Sequence, residues 1–473
     1  VNPALNVNVR YGSELHQKLL AAIRRRKQLG LTETQKNQTR WADAEKLARG
    51  YIHETTEDAI RNANRRQLGA QNYRTVEVPA SYAMMLTAHT YLTSVFLSRT
   101  PVFQYSGSSG ESELGERAVE AVMQYQTQIG GNLPPLYLWF LDALKYGIGI
   151  LGTYWDTEVV TVSRIAEQTP TFLGLPMEGE SKKVRITERG IGYMGNRYFN
   201  VRPHDFFFDP RVTALQLQRG SFCGRLTEVG WNDIIRGRIS GDYINVDALE
   251  NRRRTANRER TQSSVVDERP GQGQQFVDEY DQGFVTLTEI FIELSPKEWG
   301  LGKTETPEKW VFVVADDAVI ISARPFGAYH NKYPFVIIEP EFEAYNQFKH
   351  GMMDFTKDLN YAMSWLFNSH FYNTRQTMNN QFVFDPSKIV AEDLRSDGGG
   401  LMIRLRPEAY GTDVRQALTQ LPVIDVTQSH VRDTQFISEI MQRIFGVTDN
   451  LMGVLAPGGR KTATEIRTSA SSG

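Results

Sequence analysis

Residues 352–378, MMDFTKDLNYAMSWLFNSHFYNTRQTM, constrain this fold more than any other stretch. Met352, Phe355, Leu359, Met363, Leu366 and His370 recur every three or four positions and make one mostly apolar stripe. Lys357, Tyr361, Ser364, Asn368, Tyr372 and Arg375 make a polar stripe at the same spacing. At 1.5 Å per residue the helix is about 40 Å long. Such a rod packs on one side and faces solvent or a lumen on the other; read alone, it is an ordinary amphipathic surface helix.

The chain has 473 residues, more than one growing core sustains, so two or more structural units are expected. Charged residues at 23% against 40% hydrophobic give the balance of a folded protein. Lys and Arg total 53 against 55 Asp and Glu, which argues against a protein that grips nucleic acid over a broad surface. It leaves room for DNA that passes without being held. The single cysteine, Cys223, excludes intramolecular disulfides and multi-cysteine zinc sites, and fits folding in a reducing compartment. The chain opens at Val1 without a charged or hydrophobic leader, so no signal peptide is expected. Ala80 to Ser98 carries no charge, but Ser81, Thr87, His89, Thr90, Thr93 and Ser94 make it a helix buried in protein rather than a membrane span.

Along the chain, Ser13 caps a helix through Leu15, Leu19, Ala22 and Ile23, and a second helix is expected from Thr39 to about Asn62. SGSSGESE at 106–113 reads as a surface loop before a helix through Val119, Val122 and Tyr125. A helix from Leu136 to Tyr146 reaches KYGIGILGTYWD, whose glycines turn the chain into extended segments at about 150–165 and 183–202. A helix is expected over about 229–262, followed by a polar linker. Its end carries Arg252, Arg253, Arg254, Arg258 and Arg260, which read either as a DNA or subunit contact or as a solvated face balanced by Glu250 and Glu259. Strands at FVTLTEIFIEL, WVFVVA and AVIISA, the last two a hairpin around Asp316-Asp317, make a compact β unit inserted in a helical protein. After the long helix come two short extended segments around SKIVAEDLRSDGGG, then a helix from about Thr427 to Phe445.

Catalytic motifs fail one by one. HETTE at 53–57 places Glu57 where a zincin has its second histidine. Gly147, Gly149 and Gly152 match a dinucleotide fingerprint by letter, but they follow a helix and lead into β structure, the reverse of the required order. In GVLAPGGRKTATEIRT, Gly459 and Arg460 intervene before Lys461 and break a P-loop. Asp205 and Asp209, or Glu339, Glu341 and Glu343, could bind Mg²⁺ in principle, but solvated loop acids account for them better. No enzyme activity and no cofactor is expected.

Together KYGIGI…YWD, VRPHDFFFDP at 201–210, YHNKYPFVIIEPE, the long helix and the closing RKTATE at 460–465 resemble the portal (head-to-tail connector) proteins of tailed bacteriophages, from about Val78 to Thr468. TATE then reads as a helix start, with Thr462 as N-cap and Glu465 completing a capping box. The resemblance implies a mainly helical α+β subunit of a ring, usually a dodecamer, at one capsid vertex. Residues 1–228 and 379–473 would form the wing, 229–275 a stem helix and linker, 276–345 the clip and 346–378 the second stem helix. A C-terminal crown would be absent or not retained.

The resemblance also implies passage of double-stranded DNA during packaging and ejection, and contacts with the terminase, major capsid and scaffolding proteins and a head-tail adaptor. It places the protein in the virion, assembled in the host cytoplasm, with no membrane partner. The polar stripe from Lys357 to Arg375 becomes the candidate channel face. Arg395 and Asp397 lie in a candidate channel loop, EDLRSDGGG, for which a peripheral wing position is the alternative. Another virion structural protein, an adaptor or a minor capsid protein, is the rival reading.

Overall fold

The computed structural model of the protein describes residues 6–49, 76–107, 110, 112–168, 171–172, 175–176, 182–254, 283–341, 346–378, 382–390, 393, 403–411, 413–420 and 427–446. The chain forms two compact units, each built from two stretches. Val1–Ala44 and His89–Met352 make the first, and Glu45–Ala88 with Met353–Gly473 the second.

Helix α1, Glu14–Ala48, begins where Ser13 Oγ accepts the His16 N–H at 3.2 Å, the expected N-cap. The two N-terminal helices read from the sequence are this one continuous helix over the described part, and residues 50–75 lie outside the described residues. Gly30 does not break it. A Cβ there would sit 2.9 Å from the Phe207 Cβ, so the absent side chain is what lets α1 lie close on the strand beneath. One turn on, the buried Thr34 Oγ1 donates to Phe206 O at 3.0 Å.

That strand, β3 (Phe206–Phe208), joins β4 (Phe222–Gly230), β5 (Phe284–Leu294), β6 (Glu308–Ala315) and β7 (Val319–Pro325) in one antiparallel sheet of order β3-β4-β5-β6-β7. Alternation along β6 splits its residues between two faces. Trp310, Phe312 and Val314 pack in one cluster with Leu19, Leu20 and Ile23 of α1. Val313 and Ala315 pack in another with Ile234, Val246 and Leu249. Phe206 and Phe208 face a third cluster with Trp41, Tyr146, Phe335 and Phe348, while Phe207 belongs with α1.

Two sequence expectations need correcting here. The β unit of residues 284–325 is not a self-contained insertion, because β5 pairs with β4 from Gly230↔Phe284 to Phe222↔Ile292. Buried backbone groups on both edges of β5 need partners, and β4 supplies those on one edge while β6 supplies the other. The single helix expected over 229–262 is also absent. Helix α5, Trp231–Ser240, stops at Gly241 in the left-handed conformation, and a second helical stretch spans residues 246–254. Ile234 on one piece and Val246 and Leu249 on the other all bury into the same cluster, so both pieces belong to the sheet rather than to a free rod.

Before the sheet, α2 (Ala80–Leu97), α3 (Glu113–Ile129) and α4 (Leu133–Tyr146) lead to a long hairpin of β1 (Gly149–Gln168) and β2 (Lys182–Val201). Strand β8, Phe335–Ile338, adds to the free edge of β1. The glycine turn before β1 is needed for a specific approach. Gly147 ends α4 at φ +79, and a Cβ there would lie 2.5 Å from Lys349 O and 2.6 Å from the His350 carbonyl carbon.

In the second unit, α6 spans Met352–Met378 and α7 spans Thr427–Phe445, the latter as read from the sequence. Strands β9 (Phe382–Phe384) and β10 (Leu418–Gln420) pair between them. The charge-free α2 is buried only on one side: Ser81, Met84, Met85 and His89 are covered, whereas Tyr91, Val95 and Phe96 are exposed. No helix among the described residues is long and apolar enough to cross a membrane.

Gly147→Ala combines left-handed strain with a backbone clash, whereas Gly131→Ala, at φ +67 with nothing within 4 Å, carries only the strain. We expect Gly131→Ala to cost about 1–2 kcal/mol and Gly147→Ala clearly more, read as shifts in the urea midpoint at unchanged slope.

Candidate channel helix and its surroundings

An extended segment with no strand beside it has unpaired backbone amides, and these must find partners when buried. Residues 76–79, which precede α2, find them on α6. The Val76 N–H donates to Asn368 Oδ1 at 2.9 Å, and Asn368 Nδ2 returns a bond to Val76 O at 2.8 Å. The Val78 N–H donates to Ser364 Oγ at 3.1 Å, and the Ser81 N–H, in the first turn of α2, to Asn360 Oδ1 at 3.2 Å. Asn360 Nδ2 also donates to Glu77 Oε1 at 3.0 Å.

The match is geometric. Side chains four apart on a helix recur about every 6 Å, and alternate amides of an extended chain about every 6.6 Å. Asn368 and Ser364 therefore meet residues 76 and 78 in step.

This arrangement reverses the expected orientation of part of α6. Thr356, Asn360 and Ser364 are buried along with Met353 and Met363, while Phe355, Trp365, Phe371 and Tyr372 are exposed, Trp365 at 63%. Of the candidate channel-facing residues, Ser364 and Asn368 are occupied by the backbone of the second unit itself. Lys357 and Tyr361 are half-buried, Tyr372 is exposed, and the side chain of Arg375 lies outside the described residues. Periodicity shows that a helix has two faces; it does not say which one is covered.

The arginine cluster is similarly divided. Arg253 NH2 donates to Phe284 O at 2.5 Å and its Nε pairs with Asp316 Oδ2 at 3.1 Å, fastening residues 246–254 to the β6–β7 turn. Arg254 pairs with Glu250 at 2.7 Å, one turn back on the same helix. Arg252 is exposed, and Arg258 and Arg260 lie outside the described residues. Arg253 is thus a structural clasp rather than a free contact for DNA.

Arg395 and Asp397 lie outside the described residues, as do HETTE and TATE. Beside their loop, however, Arg404 makes bonds of 2.8–3.3 Å to both Asp393 carboxylate oxygens, and these hold the Asp393 carboxyl down to about 2. This bracket, eleven residues apart in sequence, carried no signal that composition could reveal.

The acids considered for Mg²⁺ are not all solvated. Asp209 is buried and accepts from Arg211 and from the Ser221 N–H and Oγ–H; those bonds hold its carboxyl well below the usual range even though burial opposes them. Glu339 is buried 4.0 Å from the buried Lys349. Among the described residues no group of three or more His, Cys, Asp or Glu is placed to hold a metal ion. On α4, burial pushes Asp142 up to about 6, with Lys145 pulling weakly the other way.

A family model described as phage SU10 portal protein matches residues 81–473, more than four-fifths of the chain. No curated protein matches it.

Asn368→Ala removes both partners of the Val76 backbone. Hydrogen exchange at the Val76 amide should accelerate by up to about tenfold, in line with about 1 kcal/mol for a solvent-exposed bond, while amides of the five-stranded sheet stay protected. The raised Asp142 carboxyl gives a pH signature. Its protonated form favours the fold below about pH 4, and that contribution is lost as pH rises through about 6. Asp142→Asn should therefore raise the thermal midpoint at pH 7.5 and change it little at pH 4, as followed by circular dichroism.

Proposed function

Since the chain belongs to the phage SU10 portal protein family, and is accordingly a DNA-packaging portal protein and not an enzyme, we propose that its copies close into a ring at one capsid vertex through which double-stranded DNA enters and leaves. Twelve copies is the proposed number. The match over residues 81–473 carries this reading. The near balance of 53 basic against 55 acidic residues supports it, because a wall that neutralised many phosphates would hold the duplex by counterion release.

On this reading α6 is a stem helix of the wall, and residues 1–228 and 379–473 are the wing. The clip proposed for 276–345 shares its sheet with β3 and β4, so wing and clip would form one continuous β structure. Lys357, Tyr361, Tyr372 and Arg375 remain the channel candidates on α6, joined by Arg252 and by Arg395 and Asp397 of the 392–400 loop. The terminase and later the head-tail adaptor would dock on the ring, capsid and scaffolding proteins would surround it in the virion, and assembly would take place in the host cytoplasm.

Class-averaged electron microscopy of the purified full chain, viewed along the particle axis, tests the proposal. Closed rings of about twelve subunits with a hole wide enough for a duplex are expected. Monomers, or particles with no hole, would overturn it.

A further inference from the structure

Helix α3 is built inside out. Its inward side is polar: Glu116 Oε1 accepts the Gly107 N–H at 2.5 Å, Glu120 Oε1 the Tyr105 N–H at 2.9 Å and Gln124 Oε1 the Val102 N–H at 3.1 Å. Its outward side is an uncharged stripe of Leu114, Ala118, Val122, Tyr125 and Ile129, at helical spacing. Leu114 is 81% exposed, and Val122 and Ile129 more than half exposed. Rolling the helix to bury that stripe would break three bonds, two of them to carboxylates. The stripe is therefore fixed outward.

The same unit carries a second uncovered apolar feature. The root of the β1–β2 hairpin is anchored on its own α3 and the turn that follows: Tyr125 stacks on Tyr193 with centroids 6.4 Å apart, and Asn132 Nδ2 donates to Asn196 O at 2.9 Å. Beyond the bulge at Glu158/Val159 the hairpin continues to Gln168 and Lys182, a further reach of roughly 30 Å. Val159 and Val160 point to opposite faces and both are exposed, as are Ile165 and Ile191. A two-stranded ribbon wet on both faces is marginal in water and needs a surface to lie on.

We infer that in the ring the outer half of the β1–β2 arm of one copy lies along the outward stripe of α3 of the next. This rests on the ring reading above. A ring contact is heterologous, so each copy must present two different faces that complement one another. An uncharged helix ridge and an arm that exposes Val159, Val160, Ile165 and Ile191 between its charged residues are such a pair, and the arm's root already touches one end of the same ridge on its own α3 through Tyr125. A contact repeated around a closed ring is reinforced by closure, so a single helix ridge can serve as one half of it.

Cys223 is fully buried, so newly placed surface thiols are selectively reactive, which sets up the test. In the full-length protein, Val122→Cys together with Val159→Cys, treated with a short bis-maleimide, should give a ladder of multimers on a denaturing gel. Each single variant should remain monomeric, and a mixture of the two singles should stop at dimers. Val122→Asp, a change at an exposed position, should weaken assembly at least tenfold in sedimentation while leaving the melting transition of the subunit intact. Normal rings in the microscope without the ladder, dimers from Val122→Cys alone, or Val122→Asp rings at wild-type concentration would each overturn the contact while leaving the ring reading standing. Absence of rings from the wild-type chain would overturn both.

Discussion

A backbone amide without a ladder partner can take its hydrogen bond from a helix side chain, and two stretches outside the main sheet are held this way. Two extended segments run beside helices instead of strands. Val102, Tyr105 and Gly107 give their amides to Gln124, Glu120 and Glu116 of α3. Residues 76–78 exchange bonds with Ser364 and Asn368 of α6. In both cases the helix turns polar side chains inward, and its apolar or aromatic line is left facing out. In the proposed ring, such surface is available to neighbouring copies.

The main sheet combines both kinds of pairing. β4, β5 and β6 have ladder partners on each edge, whereas the outer edge of β7 bonds to His16, Asn6 and Asn245 side chains and to the amides of Val7 and Ile244, so β3, β6 and most of β7 bury both faces and three clusters form around the alternating side chains. Phe206, Phe207 and Phe208, all at 0% exposure, join two of those clusters through one short strand.

Local patterns were readable in the sequence. The hairpin strands, the Asp316-Asp317 turn with both residues at positive φ, the Ser13 cap and the bounds of α7 all follow from periodicity and turn chemistry within a short window. What could not be read were pairings between distant segments. β4 and β5 are adjacent in space but separated by more than fifty residues, so the β unit looked self-contained. Ser364 and Asn368 looked like part of a wet stripe because their partners lie about 290 positions away. Gly241 divided what charge and composition presented as one helix. The family, by contrast, was legible, because its distinguishing runs are contiguous.

The docking of α1 on the sheet has a consequence for synthesis. Arg24 and Lys27 reach Asp317, and Leu19 and Ile23 pack beside Ile290 and Phe312, so α1 is matched to strands made nearly 300 residues after it. At bacterial elongation rates of about 5–20 residues per second, that interval is roughly 15–60 s. During it α1 has only Phe207 and Phe222 of its sheet to pack on, so the cluster around it stays open until β5, β6 and β7 are made.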